Sequence, residues 1–201
     1  MSASPSSTRN EIQAQLAAHR ALLDQVAAGP YAAQTAELAE RLIAAYRRGG
    51  KLIIMGNGGS AADAQHVAAE MVARFKRERP AWPALALHGN TSTLTAIGND
   101  YTYDDVYSRQ MEAFAAAGDV VIGLSTSGNS RNVLAALRVA RARGAWTAVL
   151  TGAGGGAAGQ VADLCLAIPS RDTPRVQEMH ITLLHIVCDL VEASLTEANP
   201  A

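Results

Sequence analysis

Aromatic and charged residues are both scarce in this chain of 201 residues. Aromatic side chains make up 4% of the sequence and charged side chains 17%, whereas soluble domains usually carry about 25% charged residues. Alanine supplies 41 positions, so most core side chains are small and each buries little area. Stability must then come from close helix packing, from interfaces between subunits, or from both. The low share of charge favours a surface that other subunits partly cover.

Excess basic charge, long apolar runs and paired cysteines are also missing. The formal net charge is −1, from 17 Lys and Arg against 18 Asp and Glu, which argues against a mainly electrostatic nucleic-acid binder. We find no run of about 18 apolar residues that would cross a membrane, and the polar stretch 1–9 does not read as a signal peptide. Cys165 and Cys188 lie outside a CxxC motif, which is typical of buried thiols in a reducing cytosol. We therefore expect a cytoplasmic protein with neither a membrane nor a nucleic-acid partner.

The hydrophobic pattern changes from helical spacing to short apolar runs after residue 50. We expect residues 1–9 to form a disordered tail and residues 10–198 a single domain, whose residues 10–48 form an arm of two helices. Short apolar runs then predict five buried strands, at residues 51–55, 83–88, 119–124, 145–151 and 164–168. Helices are predicted from Ser60 after the first strand, over residues 131–143 after the third strand, and over residues 173–195 after the fifth. This alternation indicates an α/β fold with a parallel sheet that helices cover on both faces.

Two polar loops follow predicted strands at the points where helices begin. The first is Gly56-Asn57-Gly58-Gly59-Ser60 and the second is Ser125-Thr126-Ser127-Gly128-Asn129-Ser130. Both would lie at the carboxyl edge of a parallel sheet, where ligands bind. Glycine allows the backbone to approach a ligand, and hydroxyl groups beside a helix N-terminus suit a phosphate. We also expect Ser60 to cap the helix that follows it.

Each loop taken alone is better explained by ordinary turn and cap residues than by a ligand site. Neither loop contains the Gly-Lys-Ser/Thr of a P-loop, and neither gives GxGxxG with an acidic residue about 20 positions later. Nucleotide-binding motifs of these two kinds are therefore poorly supported. Two such loops at the same edge of one sheet favour a ligand site over plain turns.

Two pairs of polar residues on separate helices carry the remaining chemistry. His66 and Glu70 are four residues apart and share one helix face, so they could move a proton, ligate a transition metal or form an ordinary surface pair. Gln177 and His185 project within about 80° of each other on the last helix. The four residues form a metal or acid–base cluster if the two helices face each other. A histidine in an apolar helix is otherwise structural, and we interpret His180 in this way.

Four segments resemble the sugar isomerase (SIS) domain family and, within it, the phosphoheptose isomerases that act on sedoheptulose 7-phosphate. They read GNGGSAADAQHVAAE (56–70), LTAIGNDY (94–101), GDVVIGLSTSGNSRNV (118–133) and DTPRVQEMH…H (172–185). The resemblance implies a three-layer, flavodoxin-like α/β sandwich with a five-stranded parallel sheet and leading N-terminal helices. It also implies a homotetramer with active sites at subunit interfaces. The implied activity is an aldose–ketose isomerisation that opens the synthesis of nucleotide-activated heptose, for example for lipopolysaccharide.

The resemblance further implies a role for each matching residue. Glu70 and His185 are the expected catalytic base and acid. The loops and the segment around residue 99 are expected to bind the sugar phosphate through Asn57, Gly58, Gly59, Ser60, Glu70, Asn99, Asp100, Ser125, Thr126, Ser127, Ser130 and Gln177. The ligands of zinc-containing members match His66, Glu70, Gln177 and His185, which implies one Zn²⁺ per subunit.

A close relative in this family has no enzymatic activity and binds the replication initiator DnaA. That relative keeps the general pattern but lacks the acidic residue at the place of Glu70. The presence of Glu70 here favours the enzyme, and a DnaA-binding protein is the alternative.

Overall fold

A five-stranded parallel sheet with helices on both faces organises residues 5–197, the part of the chain that the computed structural model describes. The elements in chain order are α1 (Pro5–Ala28), α2 (Tyr31–Arg47), β1 (Leu52–Gly56), α3 (Gly59–Val72), β2 (Ala84–Ala86), α4 (Thr91–Asp100), α5 (Ser108–Phe114), β3 (Val120–Ser125), α6 (Arg131–Ala142), β4 (Trp146–Thr151), α7 (Gly156–Val161), β5 (Leu164–Ala167) and α8 (Thr173–Glu197). A short 3-10 turn covers Tyr103–Asp105.

The strands lie in the order β2-β1-β3-β4-β5, and every neighbouring pair is parallel. Successive side chains of a strand point to opposite faces. Ile54 of β1 therefore packs with α2, α3 and α8 on one face, while Ile53 packs with α5 and α6 on the other. Both faces are buried, which explains why β1 is apolar throughout. The predicted three-layer α/β fold is confirmed, and all five predicted strands are present within one or two residues of their expected bounds.

The N-terminal helix begins earlier than the sequence pattern indicates. We expected a disordered tail over residues 1–9, but α1 starts at Pro5, so residues 5–9 are helical. Proline is well accepted in the first turn of a helix because the N–H it lacks has no intrahelical partner there. Residues 1–4 and 198–201 lie outside the described part of the chain. The expected domain end at residue 198 therefore lies outside it as well.

Residues 91–114 carry two helices that the hydrophobic pattern does not predict. No residue of α4 is fully buried, and its contacts with the core are made by the half-buried Leu94 and Ile97. The start of α4 is fixed locally, because the Asn90 side chain accepts the N–H of Thr93 at 3.0 Å. The glycine-rich stretch 152–159 is likewise not all loop, because α7 begins within it. Polar or glycine-rich segments of this kind give little periodic signal.

Helix α8 passes the length and composition test for a membrane span over Thr173–Thr196, although we expected no such segment. Close to half of the tested window is buried inside the protein. Its apolar face, including Val176, Leu184 and Val191, packs in the cluster on one side of the sheet. This is the packing expected of a central helix in an α/β domain, so the composition of α8 is weak evidence for a membrane.

Candidate active site at the carboxyl edge of the sheet

The first polar loop connects β1 to α3 at the carboxyl edge, as predicted. Gly58 has a φ of +58° and occupies the N-cap position of α3 without a side-chain cap. The prediction that Ser60 caps this helix is wrong, because Ser60 lies inside the first turn and is buried. Its hydroxyl instead accepts a hydrogen bond from Nε2 of Gln177 at 3.3 Å. The loop is therefore tied to α8 through the Ser60 side chain.

The second polar loop connects β3 to α6 on the neighbouring strand. The Oγ atoms of Ser125 and Ser130 are 2.9 Å apart, and Oγ of Ser127 accepts the backbone N–H of Asn129 at 3.1 Å. Ser130 is the N-cap residue of α6 but makes no side-chain bond to the helix. Hydroxyl groups thus converge next to the positive end of a helix dipole, which is the arrangement that favours an anion.

Backbone contacts with the loop before α7 hold the second polar loop in place. Gly128 has a φ of +67°, and a Cβ there would collide with the carbonyl of Gly155. The carbonyl of Gly128 accepts the N–H of Ala158 at 2.9 Å, and Oδ1 of Asn129 accepts the N–H of Ala157 at 3.1 Å. Glycine at position 128 is therefore required both by its backbone conformation and by this close approach.

A cavity of about 360 Å³ opens between the second polar loop and the segments that follow β4 and β5. Its lining consists of Thr126, Ser127, Asn129, Ala153, Arg171 and Thr173. The lining offers hydroxyl, amide and guanidinium donors. Sequence reasoning found Thr126 and Ser127 but missed Arg171 and Thr173, whose position directly after the last strand, at the same edge, is the signal that could have found them.

The side chain of Asn57 is fixed by a reciprocal amide pair with Asn132. Each Nδ2 donates to the other residue's Oδ1 at 2.9 Å. The hydroxyl of Tyr103 donates to Oδ1 of Asn57 at 3.3 Å, and Tyr107 donates to the carbonyl of Gly56 at 2.5 Å. Asn132 and the two tyrosines position the first polar loop, and the sequence analysis did not identify them.

Asn99 and Asp100 end helix α4, and both are exposed. Nδ2 of Asn99 donates to Oδ1 of Asp100 at 2.8 Å. Their contact with a sugar stays a prediction.

His66, Glu70 and His185 converge, because α3 and α8 pack side by side. One ligand atom from each lies within 4.8 Å of the others. Nε2 of His66 is 2.9 Å from Nε2 of His185 and 3.1 Å from Oε1 of Glu70. Two imidazole nitrogens and a carboxylate oxygen are the donor set of many catalytic zinc sites. These three residues therefore fit a divalent transition metal.

The surroundings of this cluster favour a neutral His185. Burial lowers the pKa of His185, and the nearby His66 lowers it further, while Glu70 and Asp63 oppose both effects. Neutral imidazole is the form that ligates a metal. The sequence suggested Asp63 only as a capping-box partner of Ser60 and not as a neighbour of this cluster. Burial raises the pKa of Asp63, against the influence of the two histidines. The ring of Phe75 lies with its centroid 5.5 Å from that of His185.

Gln177 lies apart from these three residues within one chain. It precedes His185 by eight positions on α8, a rise of about 12 Å. Its amide group lies beside Gly59, where a Cβ would approach Nε2 of Gln177 to 2.8 Å. One chain thus brings together three of the four predicted metal ligands and places the fourth at the first polar loop.

Comparison with known proteins gives consistent similarities over most of the chain. The family model described as SIS domain matches residues 16–152. The phosphoheptose isomerase of Geobacter sp. (strain M21) is 57% identical over 185 residues, which are 92% of this chain and 96% of that protein. The solved phosphoheptose isomerase structure from Neisseria gonorrhoeae is 39% identical with a TM-score of 0.87, and covers 92% of this chain and 99% of its own. That from Francisella tularensis is 30% identical with a TM-score of 0.87, over 92% and 98% of the two chains.

Proposed function

The chain belongs to the phosphoheptose isomerase family of SIS-domain proteins, and on this basis we propose that it converts sedoheptulose 7-phosphate to D-glycero-D-manno-heptose 7-phosphate. Its relatives in that family are sugar phosphate isomerases, so its substrate is a small sugar phosphate. The observation that carries the proposal is the meeting of His66, Glu70 and His185 within 4.8 Å. A base and an acid are the groups that an aldose–ketose isomerisation by proton transfer needs, and a metal ion held by the same residues can polarise the reacting oxygens.

Glu70 is the proposed base and His185 the proposed acid. Glu70 removes a proton from C1 of the ketose, and the electrons of that bond form the C1–C2 double bond of an enediol. His185 delivers a proton to the oxygen at C2. Glu70 then returns its proton to C2, and His185 takes the proton of the C1 hydroxyl, which leaves an aldehyde at C1. The sum of these transfers moves two hydrogens and consumes no other reactant.

The second polar loop is the proposed phosphate site. Its hydroxyl donors are those of Ser125, Thr126, Ser127 and Ser130. Ser60 lies nearby, in the first turn of α3. Asn57, Gly58, Gly59, Asn99, Asp100 and Gln177 are the proposed contacts for the rest of the sugar. Binding energy from the phosphate, which does not react, holds the reacting carbons in place.

We propose that His66, Glu70 and His185 hold one Zn²⁺ per subunit. Gln177 lies about 12 Å along α8 from His185 within one chain, so we propose that the fourth ligand is the Gln177 side chain of a neighbouring subunit. A bound zinc ion would polarise the oxygens at C1 and C2. A side chain that ligates a metal through its basic atom is not free to move a proton there, so the metal-binding and acid–base roles compete both at Glu70 and at His185. The zinc content of a Glu70→Gln variant, measured beside its turnover, separates them.

The distance along α3 between the first polar loop and Glu70 supports active sites that neighbouring subunits complete. Glu70 is eleven positions after Gly59 on α3, a rise of about 16 Å, so within one chain the base lies far from the first polar loop. An apolar groove between α1, α2 and α8 also leaves Leu23, Ile186 and Leu190 exposed, which is typical of an interaction surface. We therefore propose a homotetramer, testable by light scattering during size-exclusion chromatography.

A coupled isomerase assay on sedoheptulose 7-phosphate tests the proposed activity directly. The expected result is turnover by the purified protein. The absence of turnover when zinc is supplied would contradict the proposed activity. Capture of a replication initiator by an inactive protein would favour the DnaA-binding alternative.

The free thiols of Cys165 and Cys188 support a location in the cytoplasm.

A further inference from the structure

Arg171 contributes a cation to the cavity beside the second polar loop. It lies between the end of β5 and the start of α8, at the carboxyl edge of the sheet. It lines the cavity together with Thr126 and Ser127 from the opposite wall and Thr173 at the first position of α8. The cavity therefore brings together hydroxyl groups, the start of α8 and one guanidinium group.

Within residues 5–197, Arg171 is the one charged residue of this lining, and its side chain has no hydrogen-bond or ion-pair partner. The nearby Arg175 differs, because it pairs with Glu178 at 2.6 Å and donates to the carbonyl of Gln15 at 2.9 Å. Arg175 is thus used by the fold, whereas Arg171 is exposed and left available to a ligand. No carboxylate of the described lining competes for it.

A phosphate held only by hydroxyl and backbone donors receives neutral hydrogen bonds. A guanidinium group adds charge-assisted bonds, which are roughly twice as strong, and its planar fork matches two phosphate oxygens at once. Neutral donors serve uncharged and charged ligands alike. A cation in the same cavity would select for the charge of a phosphate ester.

We propose that Arg171 is a specificity-determining residue that binds the phosphate group of the substrate and selects phosphorylated sugars over unphosphorylated ones. This inference rests on the proposed function, because it assigns Arg171 to the phosphate end of that site. Arg171 binds the part of the substrate that does not react. Its loss should therefore weaken binding more than it slows turnover.

Arg171→Gln tests the proposal, with Arg48→Gln as the matched control. Arg48 follows α2 and precedes β1, so it lies at the opposite, amino edge of the sheet. We expect Arg171→Gln to raise KM for sedoheptulose 7-phosphate about tenfold with kcat within about twofold of the parent protein. Arg171→Lys should recover part of the loss, since lysine keeps the charge without the fork. Arg48→Gln should leave both constants unchanged.

Binding of inorganic phosphate, measured by calorimetry, separates a failure of this inference from a failure of the proposed function. A parent protein without isomerase activity would contradict the function, yet a tenfold weaker phosphate affinity in Arg171→Gln would still support the role of Arg171. Equal phosphate affinity in Arg171→Gln and the parent protein would overturn that role. An unchanged KM in Arg171→Gln, with an active parent enzyme, would overturn it as well.

Discussion

Arg79 joins the backbone of Glu70 to the buried carboxylate of Glu192. Its Nη2 donates to the carbonyl of Glu70 at 2.7 Å, and its Nε lies 3.2 Å from Oε1 of Glu192. Glu192 also accepts three consecutive backbone N–H groups, those of residues 75–77, at 2.7–2.9 Å. The chain that leaves α3 is thereby fastened to α8. This connection supports the helix end that carries Glu70 and the Phe75 ring beside His185.

Removing the charge of Glu192 should destabilise the fold. Burial opposes its ionisation, but the N–H groups of residues 75–77 and Arg79 together hold the pKa of Glu192 below its ordinary value. Glu192→Gln leaves Arg79 buried without its counterion, for which we expect a loss of about 3 kcal/mol in the free energy of unfolding. Urea titrations measure this loss. Asp189→Asn is the control, since Asp189 pairs with Lys76 and Arg77 at a more exposed position, where the cost should stay below about 1 kcal/mol.

His180 should make the protein less stable as the pH falls from 7 to 5. Burial lowers the pKa of His180 to about 4, although its bond to the carbonyl of Thr151 acts in the opposite direction. Between about pH 6.5 and 4 the unfolded chain therefore binds a proton that the folded chain does not, so stability falls with pH. The expected contribution between pH 7 and pH 5 is about 2 kcal/mol.

Comparison with His180→Gln isolates this effect. Glutamine can still donate a hydrogen bond to the carbonyl of Thr151 but does not titrate. Burial also lowers the pKa of His88, and this residue contributes to the pH dependence of both proteins, so it cancels in the difference between them. Identical loss of stability in the two proteins between pH 7 and pH 5 would exclude His180 as the source.

The strands and the two polar loops could be predicted because their signals are local. Four apolar residues in a row, residues 52–55, before Gly56-Asn57 favour burial on both faces of a sheet, and the structure places β1 there. Helix α4 could not be predicted in this way, because none of its residues is fully buried and its apolar signal is limited to the half-buried Leu94 and Ile97. Ser60 was predicted to be the N-cap residue of α3, but Gly58 holds that position. The sequence alone does not reveal that the Ser60 hydroxyl accepts a hydrogen bond from Gln177.

The approach of His66 and Glu70 to His185 could not be predicted from any local sequence pattern, because it joins two helices that are far apart in the chain. The spacing of His66 and Glu70 is a property of one helix, whereas the 2.9 Å approach of His66 to His185 depends on how α3 and α8 pack. The distance of about 12 Å between Gln177 and His185 along α8 follows instead from their spacing on one helix. No sequence motif marks Arg171 as a cavity residue. Its position at the cavity follows from the order of the strands in the sheet.

Glu70→Gln should abolish turnover while binding persists. The substitution removes the charge and the basicity of Glu70 with little change in shape. General-base catalysis of this kind contributes a factor of about 10² to 10⁴ to the rate, so we expect kcat to fall by about that factor. The affinity for sedoheptulose 7-phosphate, measured by calorimetry, should stay within a few-fold. Glu78→Gln is the control at an exposed position on the segment after α3, and a near-normal kcat in Glu70→Gln would exclude Glu70 as the base.

Zinc content and activity should decrease together when the histidine cluster is broken. His66→Ala removes one of the two imidazole nitrogens that lie 2.9 Å apart, and we expect the zinc measured by mass spectrometry to fall well below one ion per subunit. His19→Ala is the matched control, because His19 pairs with Glu178, which lies about two helical turns before His185 on α8, and it should leave the zinc content unchanged. Prolonged chelation of the parent protein should likewise reduce turnover, and added zinc should restore it. Full turnover in a preparation shown to be metal-free would remove the metal from the mechanism and leave Glu70 and His185 as the acid–base pair.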